Sequence, residues 1–223
     1  MAAQEIIEIL KEKSNPKYLA GMQRFGIDSS KALGIPLPEL RKLAKEIKRD
    51  HDLAIELWKT GFHEARILAS LVDEPAMVTE NQIDDWVKDF NSWDLCDQVC
   101  GNLFDRTPFA IAKAKEFSNR EEEFVKRTGF VLMAEYAVHQ KKAPDEIFID
   151  FLQIIEHKAC DDRNFVKKAV NWALRQIGKR NANLMQRAIQ TAERIALQNC
   201  KAAKWVASNA LIELTRKASA TNS

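Results

Sequence analysis

Apolar residues recur at helical spacing along nearly the whole chain, and the alternating β-branched runs that mark half-buried strands are absent. The pattern predicts an all-α fold with no sheet. Helices are expected near 3–13, 16–25, 37–49, 52–59, 63–73, 79–89, 92–104, 108–118, 121–140, 144–157, 163–179, 183–198 and 202–217. Pro38, Pro75, Pro108 and Pro144 each fall at a predicted helix start or in the linker before one, where a missing N–H costs little. Their separations of 37, 33 and 36 residues approximate the period of stacked helical hairpins, although the repeats share little sequence. Such a stack, an α-α solenoid, curves and offers one long concave surface. It also puts every second helix in the same layer, so 92–104, 121–140 and 163–179 are expected to share one. With 223 residues and no break in composition, the chain reads as a single repeat domain over 1–223.

The net charge of +2 conceals an asymmetry. Residues 1–157 carry 21 Lys/Arg against 28 Asp/Glu, whereas residues 158–223 carry 13 against 4. A basic C-terminal third suits an anionic partner, and equally suits a solvated helical face with no partner. No run approaches the ~18 apolar residues of a membrane span, and the acidic residues within MAAQEIIEILKEK make a poor signal peptide. Four irregularly spaced cysteines, Cys96, Cys100, Cys160 and Cys200, are few for a disulfide framework, so a reducing cytoplasm is expected. Cys96 and Cys100 lie one helical turn apart without a nearby His and read as small buried hydrophobes. No metal or other cofactor is expected.

Several residues stand away from the apolar stripes of their helices. In 163–179 the stripe is Val166, Ala169, Val170, Ala173, Leu174 and Ile177. At 100° per residue, Trp172 points roughly 140° from its middle, with Lys168, Arg175 and Lys179 at i−4, i+3 and i+7. An aromatic among cations suits a nucleic-acid sugar or base; packing beneath Lys or Arg stems is the plainer alternative. In 92–104 the stripe is Leu95, Val99 and Leu103, while Trp93 and Asp97 share a face turned away from it, with the small Gly101 on the same side. Asp94 is accounted for as part of the N-terminal cap begun by Asn91 or Ser92. Asp97 lies beyond the first turn and is not; its plain alternative is an ion pair to a neighbouring helix. The helix at 121–140 is apolar almost all round and should be central. Its Arg127 lies on a face with Phe124, Val131, Ala134 and Val138, and so needs a carboxylate or a phosphate.

Five stretches carry a family resemblance: Gly34-Ile35-Pro36-Leu37-Pro38-Glu39-Leu40-Arg41; Leu57-Trp58 with His63-Glu64-Ala65-Arg66; Asn91-Ser92-Trp93-Asp94-Leu95-Cys96-Asp97; Val125-Lys126-Arg127-Thr128; and Asn164 through Arg175. In this order, over about residues 30–180, they resemble the AlkD type of alkylpurine DNA glycosylase, the HEAT-like repeat DNA alkylation repair family. The Trp-x-x-x-Asp and Lys-Lys-Ala-x-x-Trp-Ala-Leu-Arg elements are the most specific. The segment from Asn199 onward, with Trp205, matches less well.

The resemblance implies a HEAT-like repeat superhelix with a concave basic face. Its cleft would be formed by Trp93, Asp97, Arg127 and Trp172, all facing one surface. It also implies hydrolysis of the N-glycosidic bond of N3- or N7-alkylated purines in double-stranded DNA, by a protein read as a monomer. Asp97 would stabilise the cationic sugar, and the two Trp residues would pack against it. Arg127 would hold a phosphate, and Lys168, Arg175 and Lys179 would position the duplex. The rival readings are a non-enzymatic binder of DNA structures and a protein–protein scaffold. A binder has little use for a carboxylate facing phosphate, and a scaffold has little use for three cations around an aromatic.

Overall fold

The computed structural model describes residues 2–221, with side chains to Lys217. Among these the chain is helical throughout. The helices are α1 (Ala3–Glu12), α2 (Pro16–Arg24), α3 (Leu37–Ile47), α4 (His51–Lys59), α5 (His63–Val72), α6 (Glu80–Lys88), α7 (Trp93–Asn102), α8 (Ala110–Phe117), α9 (Glu123–His139), α10 (Asp145–Lys158), α11 (Asn164–Gly178), α12 (Ala182–Ala196) and α13 (Lys201–Thr221). A short 3-10 turn, Phe104–Arg106, follows α7. The expected helices are all present, and their ends fall where local chemistry places them. Asn15, Asp50, Thr79 and Asn181 each accept the backbone N–H of a residue two or three positions on, capping α2, α4, α6 and α12. Pro16 and Pro38 sit in first turns, and Pro144 immediately precedes α10.

The chain packs as two compact units, Met1–Pro108 and Phe109–Ser223. In the second, alternate helices are neighbours: α9 packs on α11 and α11 on α13, while α8 packs on α10 and α10 on α12. This two-layer order is that of a degenerate helical-hairpin repeat, and it puts α9 and α11 side by side as their spacing suggested. In the first unit α3 packs on α5 and α5 on α7. The stripe read on α11 is buried in full, as are Leu95, Val99 and Leu103 around α7. Val125 through Ala134 of α9 are buried on every side, which makes α9 the central helix of its unit.

One expectation is corrected. Cys160 and Cys200 form a disulfide between the loop after α10 and the loop before α13, with Cα atoms 5.8 Å apart. Their separation of 40 residues is about one hairpin repeat, so stacking brings equivalent loops together. Spacing alone shows that only once the stack is known. Cys96 and Cys100 are buried thiols in α7, as expected of small hydrophobes.

Gly129 lies inside α9 where it crosses the end of α8. A Cβ built there would fall 2.8 Å from Ser118 Cα and 2.9 Å from Ala114 O, and closer still to Ser118 N. A Gly→Ala change inside a helix ordinarily stabilises by up to ~1 kcal/mol. Here the new methyl meets rigid backbone, so Gly129→Ala is expected to destabilise by about 1–3 kcal/mol. The measurement is the urea midpoint, which should fall with the m-value unchanged.

Candidate functional site

In the first unit, α7 begins with Trp93, and Asp97 follows one turn later on the same face. Both are half-buried, whereas Leu95 and Val99 are in the core. The Trp93 indole donates Nε1–H to the Phe25 carbonyl at 2.9 Å, which ties α7 to the turn after α2. The ring also walls a recess of about 350 Å³ whose apolar side is formed by Tyr18, Met22, Phe25 and Leu37 and whose polar side includes His63 and Asp94.

Asp94 lies in the first turn of α7, where its position suggested a cap or dipole role, and it also has a distant partner. Its carboxylate meets His63 Nε2 at 2.8 Å, joining α7 to α5. Burial disfavours the charged imidazole, but the hydrogen bond and charge of Asp94, with the charges of Glu64 and Asp28, outweigh it and raise the His63 pKa. Burial likewise acts to raise Asp94, and the His63 hydrogen bond and charge outweigh it and lower that pKa. Glu64 is 1% exposed and accepts three backbone N–H groups, from Leu33 at 2.8 Å and from Gly34 and Ile35 at 2.7 and 3.2 Å. Gly34 adopts φ +75°, and a side chain there would collide with the Asn15 carbonyl and Leu19. The Gly34-Ile35 and His63-Glu64 motifs are therefore one structural device that holds the segment before α3 against α5.

A second device uses Trp58, Trp86 and Arg66. The two indoles stack with centroids 3.9 Å apart, and Arg66 lies 5.1 Å from the Trp58 ring. Asp89 accepts from both Trp58 Nε1 and Arg66 Nη2 at 2.8 Å.

In the second unit, Arg127 is only 5% exposed, and its Nη1 donates to the Phe165 carbonyl in the first turn of α11 at 2.6 Å. One partner of the buried guanidinium is thus a main-chain carbonyl, in addition to the carboxylate or phosphate that its apolar face calls for. The loop before α11 is held by Asp161, which binds Arg163 at 2.6 Å and Lys126 at 3.3 Å.

Phe165, Lys168, Trp172, Arg175 and Lys179 form the strip of α11 left outside its core. Trp172 is half-buried and Lys168 exposed. Among the described residues, the Trp172 indole has no hydrogen bond or ring contact, and Lys168 has no ion pair. Arg175 and Lys179 are both engaged by Glu213 of α13, the Lys179 contact at 2.6 Å. Hydrogen bonds from Lys179 and Arg175 pull the Glu213 pKa down against the opposing effect of burial. The field around Trp172 is accordingly less positive than three cations alone would make it. Glu213 was missed in the sequence; its signal was being the sole acidic residue in the described sequence of α13. The site residues thus gather as two sets: Trp93 with Asp97 on α7, and Arg127 with Trp172 and its cations on α9 and α11.

A family model described as DNA alkylation repair enzyme matches residues 6–214. The chain belongs to this DNA alkylation repair family. A relative, an uncharacterised protein of Listeria innocua serovar 6a, is 23% identical over 190 residues, covering 83% of each chain. A solved structure aligns over 97% of this chain and 95% of its own with a TM-score of 0.80 and 18% identity. That protein is described as belonging to "a new family of proteins related to the HEAT-like repeat DNA glycosylases with affinity for branched DNA structures". The fold of this family member is thus the HEAT-like helical repeat. Among its described residues no helix is long and apolar enough to cross a membrane.

The His63–Asp94 pair sets a pH dependence. Because the His63 pKa is raised, its contribution to stability is complete below 6.5 and is lost as pH rises through the folded value. Because the Asp94 pKa is lowered, its contribution is present above 3.8 and is lost as pH falls through its folded value. The urea midpoint of the wild type should fall as pH rises from near neutrality into the alkaline range, and in His63→Gln that fall should be reduced.

Proposed function

We propose that this family member is a monomeric DNA glycosylase that hydrolyses the N-glycosidic bond of positively charged N3- or N7-alkylpurines in duplex DNA. The observation carrying the reading is Asp97: a half-buried carboxylate one turn beyond Trp93, on the face of α7 turned from the core, in a DNA alkylation repair chain.

Breaking the C1′–N bond sends its electron pair to the cationic base, which leaves neutral, and positive charge develops on the deoxyribose. A fixed carboxylate beside that sugar stabilises the charge and orients the water that adds its oxygen to C1′. The water gives up a proton, for which Asp97 is the nearest acceptor in this scheme. Trp93 would offer its electron-rich face to the cationic sugar, and Trp172, in the second unit, would offer its own to DNA bound along α11. Arg127 has five N–H donors, and part of that fork would hold a backbone phosphate. Lys168, with Arg175 and Lys179, would bind further phosphates and set the register of the duplex.

A second reading is binding of DNA structures without chemistry. It is favoured by the neighbour of TM-score 0.80, which is described as having affinity for branched DNA. Asp97 separates the two. In single turnover on a duplex holding one N7-methylguanine, the wild type should release free base. Asp97→Asn should slow release by ~10²-fold or more, with binding to undamaged duplex equal or tighter. Absence of base release from the wild type, together with preferred binding of branched over plain duplex, would establish the second reading instead.

The Glu213 contacts give a separate expectation. Each phosphate-bound cation adds about 0.9 to the slope of log K against log salt. Lys168→Ala should therefore shallow the slope for undamaged duplex. Glu213→Gln, which releases Arg175 and Lys179 from their internal carboxylate, should tighten binding at low salt. Affinity that is flat with salt in the wild type would remove the basic strip from the DNA contact.

A further inference from the structure

Trp205 is the aromatic of α13 that the proposed chemistry leaves unused. It is 39% exposed, and Lys167 Nζ lies 5.2 Å from its ring centroid. The relation of α13 to α11 is set by a buried hydrogen bond from Asn171 Nδ2 to the Val206 carbonyl at 3.0 Å. Lys167 meets Trp205 toward the start of both helices, and Arg175 and Lys179 meet Glu213 toward their ends, so the two helices run in the same direction.

On this frame Trp172 is one residue after Asn171, and Trp205 is one residue before Val206. A step of +100° on one parallel helix and −100° on its neighbour, taken from the faces that meet, points both side chains to the same side. The axes of packed helices lie about 8–10 Å apart. Trp172 and Trp205 therefore flank the α11–α13 groove at nearly the same height, with Lys168 on the Trp172 side.

The first two turns of α13 around Trp205 carry lysines and no carboxylate. Lys201, one turn earlier on its face, and Lys204 are exposed, and neither has an ion pair among the described residues. The first turn of α13 has no acidic residue. Cations at a helix N-terminus oppose the helix dipole, so these lysines do not serve the helix itself. An indole with an ammonium against its ring, a remaining exposed surface and lysines around it is the arrangement that stacks an unpaired base and binds the adjoining phosphates. Bases inside a duplex are already stacked and cannot use it.

We infer that Trp205, backed by Lys167 and flanked by Lys201 and Lys204, is a second DNA contact that stacks an unpaired base and gives the protein a preference for gapped over continuous duplex. The inference rests on the DNA-binding part of the function proposed above.

The test compares a continuous duplex with the same duplex carrying a short single-stranded gap, by fluorescence anisotropy at fixed salt. The wild type is expected to bind the gapped form about tenfold more tightly, within the range of one base–aromatic stack. Trp205→Ala should lose that preference while keeping its affinity for continuous duplex and its melting temperature, and Trp205→Phe should keep most of it. A wild type without the preference, or Trp205→Ala that weakens both DNAs equally or neither, overturns the inference. If N7-methylguanine is still released at the wild-type rate in that case, the proposed function stands and only the Trp205 site falls. A wild type that binds neither DNA overturns both.

Discussion

Helix α11 is surrounded. It packs against α9 on one side, α13 on the other, and α10 and α12 behind. A helix so placed keeps only a narrow strip of its circumference outside the protein. Val166, Ala169, Val170, Ala173, Leu174 and Ile177 fill the buried side, and Gly178 lets α11 approach Leu214 and Ala188 closely. Every polar group on the flanks must then be satisfied across a helix interface. Asn171 reaches the Val206 carbonyl, Arg127 reaches across to the Phe165 carbonyl, and Arg175 with Lys179 finds Glu213. These bonds fix how α9, α11 and α13 lie against one another, and through that which side chains the remaining strip presents.

The first unit solves the same problem with carboxylates on backbone. Glu64 gathers the N–H groups of Leu33, Gly34 and Ile35, which no helix or sheet would otherwise satisfy. Beside it His63, which is buried, and Asp94, which is partly so, pair between α5 and α7, and replacing one partner would strand the other charge. The start of α7 is consequently held from two directions, by Asp94 to α5 and by Trp93 Nε1 to the Phe25 carbonyl. Asp97, one turn further on, would gain from such a rigid base in the proposed role, because positioning errors of an ångström are costly in catalysis.

Much of this was legible in the sequence because it is local. The stripes of α11 and α7, the all-round burial of α9 and the turning of Trp172 away from the α11 core follow from a period of 3.6 residues, which a linear reading can count. What escaped is tertiary. His63–Asp94 spans 31 residues, Arg175–Glu213 spans 38 and Cys160–Cys200 spans 40. Each joins equivalent positions in successive hairpins, and the register between hairpins is set by packing, not by any residue's immediate neighbours. Asp94 shows where local reasoning stops: an acidic residue in a first turn is explained well enough by the helix dipole that no distant partner is sought.

That distinction bears on which motif residues carry function. Gly34, Glu64, His63, Trp58 and Arg66 all belong to the stretches that carry the family resemblance, and all are absorbed by the fold, bonded or packed within it. Trp93 is partly absorbed, through its indole N–H. Trp172 and Lys168 are different. They lie in the most specific of those stretches, yet among the described residues the fold supplies neither a ring contact nor an indole hydrogen bond for the one, nor an ion pair for the other. A large aromatic left half-exposed, with nothing structural for its N–H to do, is poorly explained by stability, since a buried indole usually finds a partner. The α11 strip therefore keeps an indole and, four residues earlier, a lysine whose polar groups the fold itself does not use, which is why the proposed DNA contact is placed there.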